Sequence, residues 1–127
     1  EHIGEAVDFV SIDVAFISLT KVLPAVKELM KQKAEMICLI KPQFEAGREK
    51  VGKKGVVREK KTHLEVVENI TSFVQDLKFE ILGLDFSPIR GPEGNIEYLL
   101  YLKKSEESNL FDKSLCKAVV EKAHENL

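Results

Sequence analysis

The sequence predicts an α/β domain in which parallel strands are finished by an antiparallel edge strand. Three observations carry this. Strand-like apolar runs over residues 7–13 and 36–41 enclose a helical pattern with no hairpin turn between them. That is the spacing of a βαβ unit and implies a parallel pair. A second, strongly amphipathic pattern over residues 62–78 leads into a third strand-like run, FEILGLDF. Only the turn-rich SPIRGPEGN joins that run to IEYLLYLK, and so short a connection makes the last pair antiparallel.

Each element follows from its residues. In VDFVSID, Val7, Phe9, Val10 and Ile12 give apolar side chains to both faces, as a central parallel strand requires. A helix is expected over residues 20–33, with Val22, Leu23, Val26, Leu29 and Met30 stepping by three and four. Pro24 fits only in a first turn, which sets the regular helix to begin near it. The run 36–41 ends at Lys41, and Pro42 holds Lys41 extended at the last strand position. A glycine-punctuated basic loop follows. Thr62 and Glu65 read as a capping box for a helix whose apolar face is Leu64, Val67, Ile70, Val74 and Leu77. Gly83 marks a bulge in the third strand. Residues 109–126 read as a terminal helix carrying Phe111, Leu115, Val119 and Ala123 at i+4 steps.

Composition sets the class. The 127 residues suffice for one core, with 44% apolar and 31% charged side chains. The net charge of −2 is uneven: residues 47–61 hold seven Lys/Arg and two Asp/Glu, a basic patch on an otherwise acidic chain. Cys38 and Cys116 have no metal-ligand or redox spacing and read as reduced cysteines of a cytoplasmic protein. No apolar run approaches the about 18 residues that span a bilayer. A chain opening at Glu1 without Met is expected to be processed, trimmed or part of something longer.

Three charged residues converge on one sheet edge. Asp13 and Lys41 end neighbouring parallel strands, and Glu97 opens a strand running the other way. The carboxyl edge of an open α/β sheet is where ligands bind. The motifs around them, DVAFISL, KPQFEAGRE, GKKGVVR and SPIRGPEGNIEY, resemble the hemolysin A (TlyA-type) RNA methyltransferases. That family lies in the FtsJ-like group of S-adenosylmethionine-dependent ribose 2′-O-methyltransferases. The resemblance runs from about residue 7 to 103.

The resemblance implies a Lys-Asp-Lys-Glu tetrad acting on a ribose hydroxyl of ribosomal RNA. Asp13 takes the place of its acid and borders the cofactor, Lys41 is its second lysine, and Glu97 its glutamate. Its first lysine, the glycine-rich cofactor loop and an S4-like RNA-binding domain would precede residue 1. On this reading residues 1–127 are the C-terminal portion of a methyltransferase domain with a Rossmann-like sheet. The face left by the missing half is expected to be apolar and prone to self-association. Ala15 stands where the family usually has Ser.

The 2′-hydroxyl must lose its proton as it attacks, and Lys41 is the candidate base. Asp13 and Glu97 favour its ammonium form, so without the tetrad's first lysine it is expected to be protonated and orienting here. Arg48, Lys50, Lys53, Lys54 and Arg58 read as RNA phosphate contacts. Gly47, Gly52 and Lys53 nearly spell a phosphate loop, but Lys54 stands where Ser or Thr should ligate magnesium. His2, His63 and His124 lack ligand spacing and read as surface residues, and no metal site is expected. The acidic polar side of helix 62–78 argues against a membrane-active protein. The rival is a non-catalytic half-domain that only binds RNA or partners.

Overall fold

The computed structural model describes residues 7–13, 18–46, 51, 56–91, 94–107 and 110–127. The elements in chain order are β1 (Val7–Ile12), α1 (Leu19–Glu28), β2 (Met30–Ile40), α2 (Pro42–Glu45), α3 (Lys60–Asp76), β3 (Phe79–Phe86), β4 (Tyr98–Lys104) and α4 (Ser114–Asn126). The strands form one sheet in the order β1-β2-β4-β3. β1 and β2 are parallel, and β4 is antiparallel to both β2 and β3.

The mixed α/β sheet is as expected, with one relocation. The antiparallel strand β4 lies inside the sheet and β3 takes the edge. Side-chain chemistry explains the exchange. Tyr98, Leu100 and Leu102 of β4 are buried and Leu99 and Tyr101 half-buried, which suits a strand paired on both sides. In β3, Leu82 and Asp85 are exposed, as an edge tolerates. The register slips between Ile81 and Gly83, the bulge that Gly83 signals.

The helices pack on one face of the sheet. α3 and α4 lie against each other and against β3, and α1 contacts β2 and α3. Met36, Cys38 and Ile40 of β2 and Tyr98, Leu100 and Leu102 of β4 point into that layer, which Leu19, Leu23, Val67, Ile70, Val74 and Val120 fill. The opposite face carries Ile37, Leu39, Leu99 and Tyr101, all half-buried, and Phe9 at 53% exposure on the edge strand β1.

Four helix boundaries differ from expectation. α1 ends at Glu28, and β2 begins at Met30 with an exposed polar stretch over residues 31–33, Lys33 at φ 66°. Pro24 sits inside α1, because Ser18 caps the helix upstream by accepting from Thr20 N–H at 3.1 Å. α3 begins two residues before Thr62. Glu59 is its N-cap residue, and Thr62 donates back to the Glu59 carboxylate at 3.3 Å, so the expected Thr62–Glu65 box does not form. α4 starts at Ser114, where Asp112 accepts from both the Ser114 N–H and hydroxyl. Leu115 faces solvent, while Cys116, Val119, Val120 and Ala123 are buried.

Candidate active site

Lys41 follows β2 with φ −113° and ψ 100°, the extended conformation Pro42 enforces, and Pro42 itself opens the one-turn α2. Its ammonium forms an ion pair with the Asp13 carboxylate at the end of β1. Asp13 is 63% exposed and Lys41 only 12%. The lysine stem is therefore packed between elements rather than lying along a solvated rim, and the acid forms the open lip.

Glu97 directly precedes β4. The last register pair of β2 and β4 is Ile40 with Tyr98, so Lys41 and Glu97 leave the sheet at the same edge. Glu97 is buried at 6% exposure, not the surface residue its sequence position alone suggests. Gln43 Nε2 donates to Glu97 Oε2 at 3.2 Å, which links α2 to the carboxylate. The turn before β4 is pinned from several sides. Ser87 N–H donates to the Glu97 carbonyl at 2.8 Å, and Gly91 N–H to the Asn95 carbonyl at 2.7 Å. Gly94 supplies the left-handed φ of 86° that this turn needs. Gly91 lies so close to the Glu97 carboxyl that a Cβ there would stand 2.6 Å from its Cδ.

Three contributors escaped sequence reading: Gln43, Glu45 and Gly91. Glu45 accepts from the Ser18 hydroxyl at 2.6 Å and from Leu19 N–H at 2.8 Å. It thereby caps α1 and joins the connection after β1 to the one after β2. Burial pushes the Glu45 carboxyl up, with the Leu19 and Ser18 bonds opposing. Gln43 and Glu45 lie two and four residues beyond Lys41, in the KPQFE segment, where one tight turn carries their side chains back to the sheet edge. Their types in that turn were the available signal.

Of the expected RNA contacts, Arg58 is described and exposed. Arg48, Lys50, Lys53 and Lys54 lie outside the described residues, as do Ala15 and His2. Val57, just before Arg58, is buried, and its N–H donates to Asn95 Oδ1 at 3.0 Å. The return of the basic segment is thus tied to the turn that places Glu97.

The surface reading of His63 is wrong. It is 1% exposed. His63 Nε2–H donates to the Val57 carbonyl at 2.8 Å, which leaves Nδ1 to accept from the Tyr98 hydroxyl at 2.9 Å and from His124 Nε2–H at 3.0 Å. The Thr62 turn draws it inward because α3 starts earlier than its sequence suggests. Burial lowers the proton affinity of both rings; the Val57 bond opposes this at His63, and Lys60 and Arg90 reinforce it at His124. Both cysteines are free and buried, and burial pushes the Cys38 thiol up to about 12. No group of acids, histidines and cysteines fit for a metal occurs among the described residues.

Comparison with known proteins identifies the family. Residues 1–104 match the model of the FtsJ-like methyltransferases. YqxC of Bacillus subtilis (strain 168), whose name provisionally assigns rRNA methylation, is 44% identical over 94% of this chain. The 16S/23S rRNA (cytidine-2′-O)-methyltransferase TlyA of Mycobacterium tuberculosis (strain ATCC 25618 / H37Rv) is 40% identical over 94% of it. A solved structure from Streptococcus thermophilus, provisionally named a hemolysin, superposes with a TM-score of 0.91 at 44% identity over 96% of this chain. The chain spans 44% of the length of each of these three relatives. It belongs to the FtsJ-like methyltransferase family.

Proposed function

We propose that this chain is the C-terminal portion of an S-adenosylmethionine-dependent methyltransferase domain that acts on a ribose 2′-hydroxyl of ribosomal RNA. Lys41, Asp13 and Glu97 are its catalytic residues. The observation that carries the reading is the Asp13–Lys41 ion pair at the sheet edge where Glu97 also emerges. Names of relatives such as the TlyA methyltransferase supply the substrate class.

The division of the domain finds support in the sheet. β1 is a terminal strand among the described residues with Phe9 exposed, and no described helix lies on the face bearing Ile37, Leu39, Leu99 and Tyr101. A cofactor-binding half added beside β1 would pair the open edge and cover that face. The described residues fit one rim of a cofactor site: Asp13 offers an exposed carboxylate at the carboxyl end of β1.

S-adenosylmethionine supplies the methyl group, which leaves its sulfonium sulfur as the ribose oxygen forms the new C–O bond. The chain's task is to position that oxygen and receive its proton. Asp13 orients the Lys41 side chain, and Lys41 Nζ is the group that meets the hydroxyl. Gln43 fixes Glu97 on the other side of the same edge. To receive the proton Lys41 must present its free amine, a form that a further lysine beside it would favour. The exposed Arg58 and the basic residues Arg48, Lys50, Lys53 and Lys54 hold the RNA backbone. No described helix is long and apolar enough to cross a membrane, and the polar face of the sheet edge suits a cytoplasmic RNA enzyme.

The test is transfer of labelled methyl groups to ribosomal RNA by the full parent protein. The product should contain one alkali-resistant linkage, the mark of a 2′-O-methyl ribose. Label appearing on a base instead, with the linkage still cleaved by alkali, would refute the ribose assignment.

A further inference from the structure

Beside the candidate active site lies a cleft of about 170 Å³ of whose lining the methyl-transfer reading uses only Arg58. Arg58 and Arg90 form its rim, with His63 and His124 in its wall, and none of its described lining residues is acidic. The volume is several times what one water needs, enough for a tetrahedral oxyanion. We propose that this cleft is a phosphate-binding subsite, with the two guanidinium groups and the His124 imidazole as its donors.

The donor inventory favours an anion. Arg90 Nη1 donates to the Gly94 carbonyl at 2.6 Å. This fixes the guanidinium against the turn and leaves its other N–H groups to face the cleft. Arg58 follows the buried Val57, whose carbonyl is held by His63 and whose N–H is held by Asn95. Arg58 is thus anchored through its neighbour Val57 and Arg90 through its own guanidinium, and both residues are exposed. Planar guanidinium forks suit phosphate oxygens bidentately. His124 spends Nε2–H on His63, so its Nδ1 donates to a ligand when the ring is protonated.

The groups facing His124 are Lys60 and His63 of α3 and Arg90 of the turn, all basic, with the neutral Tyr98 hydroxyl behind His63. A bound phosphate offsets that like-charge crowding and raises the proton affinity of the imidazole. Binding therefore strengthens as pH falls through the histidine range. The cleft shares the 90–96 turn with Glu97, so a phosphate held here lies one turn away from the catalytic edge. That an RNA strand provides the phosphate rests on the methyltransferase reading; the phosphate chemistry does not.

The experiment is a proton NMR titration of this chain with inorganic phosphate, following the imidazole resonances of His63 and His124. Saturable shifts are expected with phosphate, and with sulfate, whose charge is constant over this range, binding should be tighter at pH near 6 than near 8. Arg90→Gln and Arg58→Gln should each weaken binding about tenfold or more, the loss of one charge-assisted hydrogen bond. Lys117→Gln, on the exposed surface of α4, should leave binding unchanged. Shifts that never saturate, or equal weakening in all three variants, would overturn the site. Displacement of phosphate by a short single-stranded RNA would assign the subsite to a strand. Displacement by a mononucleotide but not by RNA would assign it to a small phosphorylated ligand. Because no methyl transfer is read, a parent that fails to methylate RNA would sink the proposed function and leave this result standing.

Discussion

Substituting Gly91 by Ala tests whether the position of Glu97 matters. The new Cβ would stand 2.6 Å from Glu97 Cδ and 3.2 Å from Oε1. Nonbonded carbons settle at about 3.5–4.0 Å, so the carboxyl must withdraw by about 1 Å. It has little room to do so, being 6% exposed and held by Gln43. Overpacking of this kind costs roughly 1–3 kcal/mol of stability, and a misplacement of about 1 Å at a reacting centre costs on the order of 10²-fold in rate. Thermal melts and single-turnover methylation in the parent protein would read both. Gly83→Ala is the control, because its Cβ meets Tyr101 Cβ at an ordinary 3.9 Å; it should melt and turn over close to wild type. A Gly91→Ala protein within about threefold of wild-type rate would show that a displaced Glu97 still works, contrary to this positioning argument.

Three further outcomes are expected. Calorimetry on residues 1–127 alone should detect no micromolar S-adenosylmethionine binding, since the proposed division gives this chain only the Asp13 rim of the site; measurable binding would contradict the division of the domain. Neutralising Lys53 and Lys54 together should flatten the salt dependence of RNA binding by roughly one to two phosphate contacts, whereas an unchanged slope would place the RNA elsewhere. Burial holds His63 below its ordinary 6.5, so the unfolded chain takes up that proton first as pH falls. Stability present above the ordinary value is therefore lost as pH drops toward the folded value, by up to about 1.4 kcal/mol per pH unit for one proton. His63→Gln can still bond Val57 and Tyr98, and its melting temperature should change less between neutral and mildly acidic pH; parallel pH curves for the two proteins would refute this.

The βαβ unit and the convergence of Asp13, Lys41 and Glu97 were legible because each depends on local pattern. Apolar runs mark the strands, Pro42 fixes Lys41, and a short connection makes β4 antiparallel. What stayed hidden depends on contacts distant in sequence. The start of α1 is set by Ser18 together with Glu45, 27 residues further on, and no local rule reveals that cap. His63 reads as a first-turn surface residue until Tyr98 and His124 are brought against it. The interior place of β4 follows from pairing on both sides, which periodicity alone does not distinguish from an edge. Gly91 reads as a turn glycine, yet its proximity to the Glu97 carboxyl is what forbids a side chain.

Lys41 bears most of the proposed chemistry, and one comparison addresses it directly: single-turnover methyl transfer by the parent protein as wild type, Lys41→Ala and Lys41→Arg, each with a thermal melt. Removing a positioned proton acceptor costs about 10²–10⁴-fold in rate, and a guanidinium stays protonated, so both variants should fall by that much. Both should remain folded. An Arg variant at near-wild-type rate would reduce Lys41 to an electrostatic anchor, and an Ala variant that unfolds would make this 12%-exposed side chain structural rather than catalytic.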